Sequence, residues 1–165
     1  MVLTEIYTSI EKLADELARA RKKSGPVVLA NGCFDIIHAG HIRYLRDAST
    51  LGGIMVVAVN DDRSARELKG DGRPVFPQDE RAEIIAALEG VDYVLIFGEL
   101  SVDGILRKLR PEIHAKGTDY TPETVPERET AESIGCRTVI TGDPKDHSSR
   151  DIIKEIAGRD RFGSQ

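Results

Sequence analysis

The chain has 165 residues; its 23 Lys+Arg against 28 Asp+Glu give a net charge of -5, with 31% of residues charged and 40% hydrophobic. That composition describes one soluble domain with enough apolar material for a core, which excludes wholesale disorder. It carries no Lys/Arg-rich block of the kind that displaces counterions from a nucleic-acid backbone, so nucleic acid is not an expected partner.

The first segment places Ile6, Ile10, Leu13 and Leu17 at helical spacing, collects Arg19, Arg21, Lys22 and Lys23 toward its end and stops at Gly25-Pro26. Residues 1–25 are therefore expected as an amphipathic helix, packed on the domain or on a dimer partner. From there apolar runs alternate with helical patterns: strand 27–30, helix 40–51, strand 54–59, helix 78–88, strand 93–97, helix 102–109, strand 112–115, helix 126–134, strand 137–140 and helix 149–156. Residues 26–158 then form the functional domain and 159–165 a flexible tail. Five short strands, mostly continuous apolar runs, predict a Rossmann-like, doubly wound α/β fold with a parallel five-stranded sheet covered on both faces. The stretch from Asn60 to Pro77 is expected as a long, charged, functional loop.

No apolar run approaches the 18 or so residues needed to cross a bilayer, and residues 1–20 do not resemble a signal peptide, so a cytoplasmic protein without a membrane partner is expected. Cys33 and Cys136 lie far apart and form no C-x-x-C. Reduced thiols are expected, Cys33 as a small buried filler rather than a nucleophile.

In such sheets ligands bind beyond the carboxyl ends of the strands. Directly after the first strand of the domain come Asn31, Gly32, Cys33, Phe34 and Asp35, then His38-Ala-Gly40-His41 opening a helix. Two histidines three residues apart share a face, the helix start offers free amides to an anion, and Gly40 is expected to let a ligand approach the backbone. A zinc site of His38, His41 and Asp35 competes with this phosphate cradle. The accompanying charged motifs suit phosphate instead. Lys69-Gly-Asp-Gly-Arg73-Pro carries a cation at each end of a turn, and Arg81 either points to the same crevice or stays on its own surface. Ser148-Ser149-Arg150 opens the last helix as a second cradle, with helix capping a sufficient account of the serines alone. Lys116-Gly117-Thr-Asp119-Tyr120 is a glycine turn able to hold a ribose hydroxyl or a base.

Together, the Asn31–His41 stretch with H-x-G-H, the Lys69–Pro74 loop, Glu80-Arg81 and the Ser148-Ser149 helix start resemble the cytidylyltransferase-like nucleotidyltransferase superfamily over residues 27–157. The Lys116-Gly-x-Asp-Tyr turn followed by Pro122-Glu123 is most similar to the heptose-1-phosphate adenylyltransferases, which make ADP-heptose. The resemblance implies that His38, His41 and Lys69 are catalytic. It also implies nucleotide contacts at Asn31, Gly32, Cys33, Phe34, Gly40, Lys116, Gly117, Asp119, Ser148, Ser149 and Arg150. Asp35, Arg73 and Arg81 are assigned to the substrate, Asp35 orienting a cation or Mg²⁺ or merely capping the turn. Arg150 and Asp151 depart from the family's Thr-Asn. Mg²⁺ is expected only as carried by the triphosphate, without a dedicated protein cage. A homodimer and a separate upstream sugar kinase are further implied. Within the superfamily the alternatives are transfer to glycerol 3-phosphate or FMN; outside enzymes, a nucleotide sensor that has lost turnover.

Overall fold

The computed structural model describes residues 4–144 and 148–159. Six strands form one parallel sheet: β1 (Glu5–Tyr7), β2 (Val27–Gly32), β3 (Ile54–Asn60), β4 (Tyr93–Phe97), β5 (Ile113–Gly117) and β6 (Arg137–Thr141), in the spatial order β1-β4-β3-β2-β5-β6. The expected α/β class holds, with one strand more than predicted. β1 pairs with β4 through only three residues, Glu5 to Tyr7, too few to show an alternating pattern, and the sequence there blends into the helical spacing that follows. Helix α1 (Ile10–Ser24) starts where the Ser9 hydroxyl accepts a hydrogen bond from the Lys12 amide at 3.3 Å. It ends at Gly25, whose φ of 90° a side chain would resist.

Two apolar layers flank the sheet. Leu13 and Leu17 of α1 pack with Leu29, Val56, Leu95 and the Ile105–Leu106 pair of α5 (Asp103–Leu109), on the face also covered by α6 (Arg128–Ser133). The apolar stripe of α1 thus closes on the chain's own sheet, each buried leucine contributing about 1.5–3 kcal/mol. The opposite layer joins Val28, Ala30, Val57 and Val94 to α2 (Ala39–Ser49) and α4 (Gln78–Ala86). Every residue of β3 is buried, which is why it reads as a continuous apolar run.

The expected loop 60–77 contains a helix, α3 (Asp62–Lys69), capped by the Asp61 carboxylate accepting from the Ser64 amide at 2.7 Å. Its sequence is mostly charged, and burial is confined to Ser64 and Ala65, so no apolar periodicity announced it. The last helix, α7 (Ser149–Arg159), runs past the predicted end at 156, and residues 160–165 of the expected tail lie outside the described residues. No helix among the described residues is long and apolar enough to cross a membrane.

The chain leaves β2 toward β3 on one side, whereas the crossover from β4 lands at β5 on the other. This reversal opens a crevice beyond the carboxyl ends of β2 and β5, where Asn31-Gly32 and Lys116-Gly117 emerge. The opposite end of the sheet is tightly closed. Gly53 donates its amide to the Pro26 carbonyl at 3.0 Å, and a Cβ on Gly53 would lie 1.5 Å from the Ser24 carbonyl oxygen. Gly53→Ala is therefore expected to lower stability by about 1–3 kcal/mol or more through backbone displacement. A urea denaturation midpoint equal to that of the parent would contradict this packing.

Candidate active site

A cavity of about 510 Å³ occupies the crevice, and its wall combines Asn31–Asp35, His38, Gly40 and His41 with Lys69, Lys116–Tyr120, Ser148 and Ser149. Segments more than a hundred residues apart in sequence therefore meet in one space.

The first wall is the turn between β2 and α2. Phe34 sits at φ 46°, and a Cβ on Gly32 would press on the Phe34 ring at 3.2 Å, so the glycine lets that ring pack close against the turn. His38 is the N-cap of α2, its carbonyl accepting from the His41 and Ile42 amides at 2.9 and 3.2 Å. The His38 amide in turn donates to His41 Nδ1 at 3.4 Å. Because that nitrogen accepts, the ring proton of neutral His41 resides on Nε2. The two imidazoles stack with centroids 3.8 Å apart and planes 31° off parallel. Gly40 lines the cavity, and a Cβ there would come within 3.0 Å of the His38 ring, so the glycine also makes room for the imidazole itself. Phe34 packs edge-on against His41 at 5.4 Å and parallel to Tyr44 at 6.5 Å, and Tyr44 Oη donates to the Ala115 carbonyl at 2.8 Å. The histidines are thus braced against β5.

Asp35 is 2% exposed, and its carboxylate accepts from the Arg73 guanidinium and from the Val75 and Phe76 amides at 2.7 and 3.2 Å. Arg73 also donates to Ser149 Oγ at 3.3 Å. Asp35 and Arg73 therefore tie the β2 turn, the 70–77 loop and the start of α7 together; Asp35 still lines the cavity, whereas Arg73 makes this tie in place of the substrate contact expected of it. Arg73 does not line the cavity. Arg81 is corrected likewise: it is fully enclosed, its guanidinium donating to the carbonyls of Cys33 and Phe76 and to Asp62 Oδ1 at 2.9 Å. A buried guanidinium is stable only with such acceptors, and these hold it behind the turn. Arg150 is exposed and lines no part of the cavity, while Ser148 pairs with Asp151 as a helix cap, the Asp151 amide donating to its hydroxyl at 3.1 Å. Asp146 and His147, which precede that helix, lie outside the described residues.

Lys69, the last residue of α3, lines the cavity next to the exposed Leu68. On the opposite wall Lys116 is nearly enclosed; its Nζ lies 3.5 Å from Glu127 Oε2, 3.5 Å from Asn31 Oδ1 and 4.7 Å from the Tyr120 ring centroid. Burial pulls this ammonium below the usual amine range, with Glu127 opposing. Cys33 is packed with its Sγ 3.7 Å from Asn60 Oδ1, and burial pushes the thiol up, as befits a filler. A zinc triad is not assembled: Asp35 faces Arg73, and among the described residues no group of three or more His, Cys, Asp or Glu could hold an ion.

Glu127, Tyr44, Asn60 and the Thr141–Asp143 segment also reach the cavity and were not singled out from the sequence. Each is there because of a long-range pairing, such as Thr141 Oγ1 on the Tyr44 carbonyl at 3.2 Å or Thr118 Oγ1 on the Asp143 carbonyl at 2.8 Å. No local pattern records such pairings. Gly142 alone left a signal: with φ 90° and Tyr44 backbone 3.1 Å from its missing Cβ, only glycine suits.

The fold is a parallel α/β sheet whose switch-point crevice gathers a histidine pair, two lysines and a serine helix start, an arrangement chemically suited to anionic groups. The chain belongs to the cytidylyltransferase-like family, whose model matches residues 29–155, and is accordingly a nucleotidyltransferase. It is 43% identical over 149 residues to the bifunctional protein HldE of Syntrophotalea carbinolica, an alignment covering 90% of this chain and 30% of that protein. With the bifunctional protein HldE of Pelobacter propionicus it shares 45% over 144 residues, 87% of this chain and 29% of the relative. The chain thus spans about 30% of the length of these relatives. Among solved structures it is similar to a lipopolysaccharide core biosynthesis protein from Thermoplasma volcanium, with a TM-score of 0.62 and 29% identity over 73% of this chain and 98% of that one.

Beneath the cavity His114 is fully buried, and desolvation followed by the charge of Lys116 pushes its pKa down to about 3. An unfolded histidine titrates near 6.5, so between about pH 3 and 6.5 only the unfolded chain binds that proton. Stability from this residue is fully present above pH 6.5 and lost as pH falls toward 3. His114→Leu is expected to flatten the decline between pH 6.5 and 4 by a few kcal/mol relative to the parent. Melting temperatures measured across that range in both proteins check it; parallel curves would show that His114 does not titrate in this way.

Proposed function

We propose that the chain transfers AMP from ATP to a heptose 1-phosphate, giving ADP-heptose and pyrophosphate. The observation that supports this most is the convergence of the His38–His41 pair, Lys69 and Ser149 on one cavity at the sheet's switch point. The similarity to HldE proteins, and to a lipopolysaccharide core biosynthesis protein, supports the sugar phosphate as acceptor.

A phosphate oxygen of the sugar attacks the α-phosphorus, and the bond to the bridging oxygen breaks as pyrophosphate leaves. A phosphate monoester is largely ionised at neutral pH, its second pKa being about 6, so the attacking oxygen needs no general base. Catalysis then consists of holding two anions in line and stabilising charge on the transferring and leaving oxygens. His41 donates through Nε2 to the α-phosphate or the bridging oxygen, and His38 stacks beside it. Lys69 offsets the charge of the incoming phosphate. Ser149, oriented by Arg73, receives the departing pyrophosphate at the start of α7. Asp35, the carboxylate of this wall, is committed to Arg73 and two amides; Mg²⁺ would enter with the triphosphate, whose own oxygens would hold it, and would lower their charge. The family resemblance further implies a cytoplasmic homodimer, supplied with its acceptor by a sugar kinase acting beforehand.

Pyrophosphate release measured for ATP and CTP, each with heptose 1-phosphate, glycerol 3-phosphate or FMN, tests the assignment. Turnover greatest with ATP and heptose 1-phosphate is expected. A preference for another acceptor would reassign the substrate, and tight ATP binding without pyrophosphate from any pair would make the protein a nucleotide sensor. With the preferred pair, His41→Ala is expected to lower kcat by roughly 10²-fold or more, the scale for losing a transition-state donor, with a near-parental melting temperature. Undiminished kcat would remove His41 from the chemistry.

A further inference from the structure

The floor of the cavity holds a hydrogen-bonded row that the chemistry above leaves unused. Along β2, Val28 and Ala30 face the α2 layer while Leu29 faces the α1 layer, which puts Asn31 on the α1 side as well. Along β5, Ile113 and Ala115 face the α2 layer, so His114 and Lys116 project to the same side as Asn31. β2 and β5 pair with Leu29 opposite His114, which brings the Asn31 carboxamide alongside both side chains.

The chemistry of the partners settles which way that carboxamide points. An ammonium only donates, so the Asn31 atom 3.5 Å from Lys116 Nζ is the oxygen. His114 Nε2 lies 3.0 Å from the same oxygen and must therefore donate to it, which makes His114 the Nε2–H tautomer. His114 Nδ1 is buried without a hydrogen-bond partner among the described residues, as a bare lone pair can be but an N–H cannot without cost. Glu127 balances the charge of Lys116 from behind. Asn31 Oδ1 is thus doubly occupied within the protein. Its Nδ2 is the end left for the cavity that Asn31 lines.

A carboxamide with its oxygen toward a buried ammonium and its NH₂ outward is a dipole whose positive end faces the ligand, strengthened by the hydrogen bonds behind it. Such a group suits an acceptor-only anionic oxygen better than a hydroxyl or a base edge, which also carry donors. Asn31 directly precedes the Gly32 turn that leads to the histidine pair, where phosphate must lie if the proposed chemistry is right. We propose that Asn31, locked by Lys116 and His114, donates through Nδ2 to a phosphoryl oxygen of the bound substrate, and that His114 is a positioning residue acting through Asn31. This rests on the nucleotidyl-transfer function proposed above. The phosphoryl oxygen belongs either to the nucleotide or to the sugar phosphate.

The chain contains only two asparagines, Asn31 and Asn60, and two glutamines, Gln78 and Gln165, so its side-chain amides give four resolvable NH₂ pairs in a proton–nitrogen NMR correlation spectrum. The Asn31 pair is assigned by its loss in Asn31→Ala, and the labelled parent is titrated separately with ATP, pyrophosphate, a hexose 1-phosphate and adenosine. The Asn31 pair is expected to shift with a phosphate-bearing probe and to stay still with adenosine. A response to pyrophosphate assigns the contact to the nucleotide's phosphates; a response to the hexose 1-phosphate alone assigns it to the acceptor. A shift with adenosine overturns the phosphate assignment. If ATP moves the backbone amides of residues 32–41 but not the Asn31 pair, the inference fails while the proposed function stands. If neither ATP nor the hexose 1-phosphate moves any resonance, the function fails with it.

The positioning role is read from two variants assayed above pH 6.5. His114→Leu should lower kcat/KM roughly tenfold, the scale of one lost hydrogen bond, whereas His114→Gln, whose amide can still donate to Asn31, should stay within about twofold of the parent. Equal losses in both variants would make His114 a packing residue, and an unimpaired His114→Leu would remove it from the site.

Discussion

The Asp35 carboxylate is where three separate stretches of chain become one site. It is buried, and a buried carboxylate without partners costs several kcal/mol, so the turn is stable only if donors are brought to it. They come from Arg73 and from the Val75 and Phe76 amides, which pins the 70–77 loop over the end of β2. Arg73 then reaches Ser149 at the start of α7. Arg81 repeats the device from beneath, joining the Cys33 carbonyl to α3 and to the Phe76 carbonyl. Removing either partner from such a buried set strands the other, which makes the arrangement all-or-none.

Around this anchor the histidines are held by backbone and by packing. His38 caps its helix, its amide fixes the His41 tautomer, and Phe34 and Tyr44 carry the brace to the carbonyl of Ala115 in β5. Preorganisation of this kind suits a reaction whose difficulty lies in gathering negative charge, because donors that are already oriented need no rearrangement as the charge moves. The opposite wall is built on a different principle. Lys116 is paired with Glu127 and spreads its influence through Asn31, so that side of the cavity presents dipoles where the Lys69 side presents a net charge.

Much of this was legible beforehand. Five of the six strands, the H-x-G-H turn and the Ser148-Ser149 helix start stand out because each follows from local pattern: buried strands read as apolar runs, and a helix cap needs a hydroxyl at one position. Strand β1 and helix α3 escaped because one spans three residues and the other buries only Ser64 and Ala65. Among the site residues, the arginines were the least legible. Arg73 and Arg81 look like phosphate ligands in a charged segment, yet both point to protein acceptors that the chain itself supplies.

What the sequence determined by itself is therefore the layered parallel sheet, the crevice at its carboxyl edge and the types of side chain gathered there, since hydrophobic periodicity and turn chemistry are properties of neighbouring residues. Only the tertiary structure decided which polar groups turn inward to one another and which are left for a ligand. A cation or an amide binds whichever acceptor comes within about 3 Å, and that choice is made between residues far apart in the chain.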